Sequence, residues 1–184
     1  KWRRERPDAK IIVTGCAAQI DPSAWHDLPE VDYVVGNHDK LETKSWQALE
    51  QGLLAPVHVS DVMTIKETAS HMIDEFDDHT RAFLQVQQGC DHRCTFCIIP
   101  YGRGPSRSVG VGAVISSVEA LVKSGVNEVV LTGVDITSWG HDLPHQPRLG
   151  FLVNQILKHV PQLPRLRLSS IDPAEPDHQL MEAI

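Results

Sequence analysis

Three of the four cysteines in this 184-residue chain fall within eight residues, in the run Gly89-Cys90-Asp91-His92-Arg93-Cys94-Thr95-Phe96-Cys97-Ile98-Ile99-Pro100. Their spacing is C-x3-C-x2-C. Three thiolates suit an iron-sulfur cluster, and a four-iron cubane held by only three of them keeps one iron without a protein ligand. Such an open iron can bind a small molecule and pass it an electron. Other fates of the thiols fit less well. Isolated cysteines are commonly small buried hydrophobes, yet these are interleaved with Asp91, His92 and Arg93. The odd local count, with no signal-peptide pattern, argues against disulfides. A structural zinc site would need a second pair of ligands, and only Cys16 and distant histidines are left to supply one.

The elements that must position this loop can be read from pattern. Phe83-Leu84-Gln85-Val86-Gln87 alternates apolar and polar residues and predicts a strand whose C-terminal end carries the cysteines. Beyond them, Val114, Val118, Leu121 and Val122 define a helix ending at Gly125, and Leu149, Leu152, Val153, Ile156 and Leu157 define another. These helices join strands at Glu128 to Thr132 and Leu166 to Ser169. Upstream, strands are expected at Lys10 to Thr14 and Tyr33 to Val35, helices at Ser23 to Asp27 and Leu41 to Gln51, and an extended piece at Pro56 to Val59. Strands alternating with amphipathic helices imply an α/β fold with a parallel sheet. In such folds the reacting groups sit at the C-terminal ends of strands, here the cysteine loop, Thr132-Gly133-Val134-Asp135 and Ser169-Ser170.

Gln88 to Ser108, with its Ile99-Pro100-Tyr101-Gly102-Arg103-Gly104 and Arg107-Ser108, resembles the radical S-adenosylmethionine (SAM) methylthiotransferases. Ile11-Ile12-Val13-Thr14-Gly15-Cys16-Ala17-Ala18-Gln19 and Val34-Val35-Gly36-Asn37 resemble the N-terminal domain of that family. Val129 to Asp135 and Arg167 to Pro173 resemble its second and third barrel strands. The resemblance implies the C-terminal part of an N-terminal methylthiotransferase α/β domain (1-55), a linker (56-80), and the first half of a radical-SAM βα partial barrel (81-184). It also implies two 4Fe-4S clusters. One is held by Cys90, Cys94 and Cys97, and the other by Cys16 with two cysteines upstream of Lys1. On its residues alone, Cys16 reads as a free thiol on a strand-to-helix turn.

By the same resemblance SAM binds the open iron, with Phe96 beside its adenine and Thr132, Gly133 and Ser169 as further contacts. Gly133 would let SAM approach the backbone closely. Packing for Phe96, and a hydroxyl satisfying local backbone for Ser169, are the plainer readings. The reaction implied is transfer of a methylthio group to an unactivated carbon, which needs a reducing electron donor such as a flavodoxin-like protein. Family substrates are an anticodon-adjacent adenosine of tRNA, carrying a threonylcarbamoyl or an isopentenyl group, or a ribosomal-protein aspartate. Leu131-Thr132-Gly133-Val134-Asp135, with Val134 where the other two types usually have glutamine, resembles the threonylcarbamoyladenosine type. No side chain is required as a general base by this scheme.

Composition sets outer limits. A net charge of -7 argues against a nucleic-acid-binding module in this stretch. No apolar run approaches the roughly 18 residues of a membrane span, so the expected location is the cytoplasm. Lys1 to Arg6 and the acidic Asp74 to Asp78 read as solvated faces, whereas Arg103 and Arg107 read as site residues on a glycine-rich loop. The opening Trp2-Arg3-Arg4-Glu5-Arg6-Pro7 reads as the end of a helix. The closing Asp177 to Ile184, with Leu180 and Ile184 on one face, reads as a helix cut short, so a segment of a longer chain is expected. A reading of another class is a non-catalytic iron-sulfur or zinc module in which Cys16 joins the trio as fourth ligand.

Overall fold

The computed structural model describes residues 1–66 and 80–184. The acidic run Asp74 to Asp78 and much of the expected linker lie outside the described residues. The chain forms two compact units, Lys1–Ile65 with Asp91–Pro105, and Lys66–Cys90 with Ser106–Ile184.

In the first unit the elements are α1 (Trp2–Glu5), β1 (Ile12–Thr14), α2 (Cys16–Ile20), α3 (Pro22–His26), β2 (Tyr33–Val35), α4 (Thr43–Glu50), β3 (Val57–His58) and α5 (Ile99–Arg103). The strands β1, β2 and β3 pair in parallel in that order, with Val34 opposite both Val13 and Val57. Asp21 caps α3 by accepting from the Ala24 N–H at 3.1 Å, and Pro22 starts it. The helix expected over Leu41 to Gln51 is split. Asp39–Leu41 makes a separate tight turn and Glu42 is extended, because the buried Asp39 carboxylate is tied to the Ser60 N–H and hydroxyl. Arg3 is not simply solvated. Its guanidinium meets Asp32 and the carbonyls of Ala9 and Glu30, pinning α1 to the sheet's edge. The Ile11 N–H, and then Arg3, hold the Asp32 carboxyl below its ordinary range.

The second unit contains β4 (Arg81–Gln85), β5 (Gln87–Gln88), β6 (Arg107–Ser108), α6 (Val111–Lys123), β7 (Glu128–Thr132), α7 (Leu149–His159), β8 (Arg165–Leu168) and α8 (His178–Ala183). Its main sheet is parallel in the order β4, β7, β8, with Leu84, Leu131 and Leu168 in register. The expected strand from Phe83 is broken at Val86, after which β5 turns to pair antiparallel with β6. Val114 and Val118 of α6, and Leu149, Leu152, Val153 and Ile156 of α7, bury one stripe each against Val129 and Leu131. Each such side chain contributes about 1.5–3 kcal/mol of burial. Gly125, at φ 94°, takes the left-handed turn that stops α6. Trp139 is wholly buried in this core, and its indole N–H donates to the Val109 carbonyl at 3.0 Å. The Asp177 carboxylate joins α7 to α8 by accepting from the N–H groups of Gly150 and Leu180. Leu180 is buried as expected, but Ile184 lies past the end of α8 and is exposed.

The N-terminal ends of the three parallel strands carry one charge cluster. Glu128, only 6% exposed, lies in register between Arg81 and Arg165 and pairs with both, while Arg167 stands 3.9 Å away. Burial raises this carboxyl, but the hydrogen bonds and charges of Arg165 and Arg81 outweigh it and hold it below the ordinary glutamate range. A depressed folded pKa contributes stability above the unfolded value of 4.5 that is lost as pH falls through the lower folded value. Glu128→Gln should therefore flatten the loss of stability on the acid side of pH 4.5, measured by urea unfolding across pH. An unchanged acid slope would contradict this role.

Candidate functional site

Two groups of side chains surround the cysteines, one in each unit. In the first, β1 runs into Gly15, whose φ of 119° only glycine adopts readily, and α2 starts at Cys16. The turn aims the thiol at a built surrounding. Arg103 Nε donates to Cys16 Sγ at 3.2 Å, and Asn37 Nδ2 lies 3.6 Å from the same sulfur. The buried Asn37 amide also donates to the Gly102 carbonyl at 2.6 Å, and its oxygen accepts from Lys40 Nζ at 2.9 Å. Asn37 is held in turn by Gln19, which accepts from its backbone N–H at 2.8 Å. Burial, and next the charge of Arg103, push the Lys40 ammonium below its ordinary range, with Cys16 acting the other way. Gly102 packs directly on the cysteine, since a Cβ there would fall 2.7 Å from Cys16 Cβ. Cys16 also lines a mostly apolar groove of about 710 Å³ with Ala17, Ile20, Trp25 and Ile98.

Cys94 and Cys97 belong to this unit. The Cys97 N–H donates to the Cys94 carbonyl at 3.0 Å, so one turn carries both. Cys94 is exposed and Cys97 half-buried, and none of the four cysteines is in a disulfide. Two thiols on one turn, outside any disulfide, are donors of the kind that an iron-sulfur cluster requires, so Cys94 and Cys97 fit the group that the resemblance implies. Phe96 between them is 92% exposed.

In the second unit the organising side chain is Gln87, at 0% exposure. Its Nε2 donates to the Gly89 carbonyl at 2.8 Å and to Ser106 Oγ at 3.0 Å, and its Oε1 accepts from the Asp135 N–H at 2.8 Å. One amide thus ties the exit of β4 and β5 to the loop after β7. Asp135 is further held by Ser138 Oγ at 2.8 Å and Thr137 Oγ1 at 3.1 Å. The Cys90 thiol donates to Asp135 Oδ2 at 3.6 Å.

Gly133 has a reason within the protein itself. A Cβ there would lie 2.9 Å from Gln87 Oε1 and 3.2 Å from Ile136 Cα, so the glycine makes room for the protein's own amide. Thr132 ends β7 beside it, and the Ser169 hydroxyl donates to the Leu131 carbonyl at 3.1 Å, as the plainer reading had it. Arg103 and Arg107 do not share a glycine-rich loop. Arg103 ends α5, while Arg107 is buried on β6, paired with Gln88. Gln87 and Asn37 were present in the motifs but given no role. Gln87 continues the apolar-polar alternation from Leu84, which by pattern alone reads as a solvent-facing position, so the sequence offers no signal for its burial.

Replacing Gln87 by leucine keeps the volume but removes its hydrogen bonds to the Asp135 N–H, the Gly89 carbonyl and the Ser106 hydroxyl. At about 0.5–1.5 kcal/mol for each hydrogen bond lost, Gln87→Leu should lower stability by ~2 kcal/mol in denaturant unfolding. A midpoint within error of the parent would show that the amide is dispensable.

Residues 84–178 match the family model of the Radical SAM superfamily. The chain is 50% identical over 184 residues to threonylcarbamoyladenosine tRNA methylthiotransferase MtaB of Rickettsia prowazekii (strain Madrid E), covering 100% of this chain and 43% of that protein. It is 36% identical over 183 residues to MtaB of Aquifex aeolicus (strain VF5), covering 99% and 44%. With ribosomal protein uS12 methylthiotransferase RimO of Desulfotalea psychrophila (strain LSv54 / DSM 12343) it shares 33% over 180 residues, covering 96% and 40%. The chain spans less than half the length of these relatives. A solved radical SAM methyltransferase, TsrM from Kitasatospora setae with tryptophan and a SAM analogue bound, superimposes with a TM-score of 0.64 at 17% identity, over 96% of this chain and 39% of that one. At that identity the likeness speaks for the fold alone. With its parallel strands, its three-cysteine loop and more than half its length matched by the family model, the chain belongs to the radical SAM superfamily.

Proposed function

We propose that this chain is part of a tRNA methylthiotransferase that adds a methylthio group to carbon 2 of threonylcarbamoyladenosine beside the anticodon. The observation that carries the reading is 50% identity, along the whole chain, to the Rickettsia protein whose name states that activity. Identities of 33% to a ribosomal-protein methylthiotransferase and 31% to the dimethylallyladenosine enzyme of Dehalococcoides mccartyi (strain ATCC BAA-2266 / KCTC 15142 / 195) weigh less. Val134, where those two types usually carry glutamine, points the same way.

In this reading Cys90, Cys94 and Cys97 hold three irons of one 4Fe-4S cluster, and Cys16 with two upstream cysteines holds a second. A cluster with SAM on its open iron supplies one-electron cleavage of the sulfonium bond. The side chains do the positioning. Phe96 offers an exposed ring face to adenine, a stacking worth about 1–3 kcal/mol per base in nucleic-acid sites. Thr132 and Gly133 bound the methionine end. Ser169, whose proton is engaged by Leu131, can still accept a hydrogen bond from SAM. Gln87 fixes the backbone on which Cys90 and Asp135 sit, so this arrangement needs no reordering at the moment of reaction. The electron comes from a reducing partner of the flavodoxin kind. No helix among the described residues is long and apolar enough to cross a membrane, which agrees with a cytoplasmic site of action on tRNA.

The two sulfur sites should separate by variant in the full-length protein. Cys97→Ala should abolish both 5′-deoxyadenosine formation with dithionite and the methylthio nucleoside. Cys16→Ala should keep 5′-deoxyadenosine formation yet leave threonylcarbamoyladenosine unmodified in tRNA. SAM-cleavage assays and nucleoside mass spectrometry on the same preparations decide it. Normal methylthio levels in Cys16→Ala would remove that residue from the reading, and modification of isopentenyladenosine instead would change the substrate.

A further inference from the structure

Arg103 lies on the segment that follows the three-cysteine motif, yet its side chain points to the fourth cysteine. The Nε–H donates to Cys16 Sγ at 3.2 Å, within hydrogen-bond range for sulfur. This contact is held from two sides. Gly102, the residue before it, leaves no space for a Cβ against Cys16, and its carbonyl accepts from the buried Asn37 amide. The approach of α5 to α2 is thereby locked, and a planar guanidinium carries its charge and its donor in fixed relation. Cys16 also lines a groove of about 710 Å³. A thiolate that ligates iron keeps lone pairs that accept such bonds. Hydrogen bonds and positive charge at ligand sulfurs draw electron density from the iron and raise the cluster's reduction potential.

We infer that Arg103, seated by Gly102 and Asn37, is a positioning residue for the Cys16 sulfur that raises the reduction potential of the cluster bound there. The inference rests on the reading of Cys16 as a cluster ligand. It gives the Arg103-Gly104 pair, sequence-adjacent to one set of cysteines, a task at another. The residue acts through the sulfur and touches no substrate.

The test uses the full-length protein in a background where Cys90, Cys94 and Cys97 are all replaced by alanine, so that only the Cys16 cluster can form. After anaerobic reconstitution, iron is counted and the cluster is titrated with a reductant under electron paramagnetic resonance. Arg103→Met should lower the midpoint enough to cut the reduced-to-oxidised ratio about tenfold at the parent's midpoint, which is about 59 mV for a one-electron couple. Arg103→Lys, which keeps a charge but not the fixed planar donor, should fall between. Circular dichroism confirms that each variant is folded. A midpoint unchanged in Arg103→Met at full iron content overturns the inference while leaving Cys16 as a ligand. If the parent background binds no cluster, the reading of Cys16 itself falls and the inference with it.

Discussion

The buried amide of Gln87 is the constraint on which the second unit's candidate site depends. A carboxamide with no access to water must place both of its donors and its acceptor within the protein, because each unmet group costs about 1–3 kcal/mol. Gln87 meets this with Gly89, Ser106 and Asp135, three points far apart in the chain. Satisfying it dictates local sequence. Residue 133 must be glycine because the amide occupies the space of its Cβ. The main strand must break at Val86 so that β5 can face β6. Asp135 must present its backbone N–H inward, which leaves its carboxylate toward Cys90.

Elements whose stability comes from their own length were legible in the sequence. The α6 and α7 helices run 13 and 11 residues, long enough to show a repeating apolar stripe, and β7 is bracketed by turns. The five-residue helices α2 and α5 were not, because one turn and a half contains no repeat to recognise and neither has a side-chain cap like the Asp21-Pro22 start of the equally short α3. Pro100, Gly102 and Gly104 make α5 read as loop from local propensity. Its helical form goes with packing of Gly102 on Cys16, and the Arg103 contact to that sulfur spans 87 positions in the chain. No window of neighbouring residues contains that information. The cysteine spacing was legible for the opposite reason, since the donors that a metal cluster needs are set close together along one loop.

Charge was the least readable layer. Arg103 and Arg107, four positions apart, suggested a shared basic mouth, but one approaches a sulfur and the other is buried in a two-residue strand. Arg3 suggested a solvated tail and is instead pinned to Asp32. Each outcome follows from a partner brought in by folding. Counting charges along the sequence tells how many must be solvated or paired, and the topology decides which.

The parallel sheet of the second unit keeps its two polar ends apart. Glu128 and its arginines occupy the N-terminal end of β7, while Thr132, Gly133 and Asp135 follow its C-terminal end. Between them Val129, Val130 and Leu131 are buried, offering no polar relay. At about 3.3 Å per residue the strand separates the ends by roughly 13 Å. Parallel pairing makes this separation general, since every strand of the sheet directs the same end toward the loops that carry chemistry.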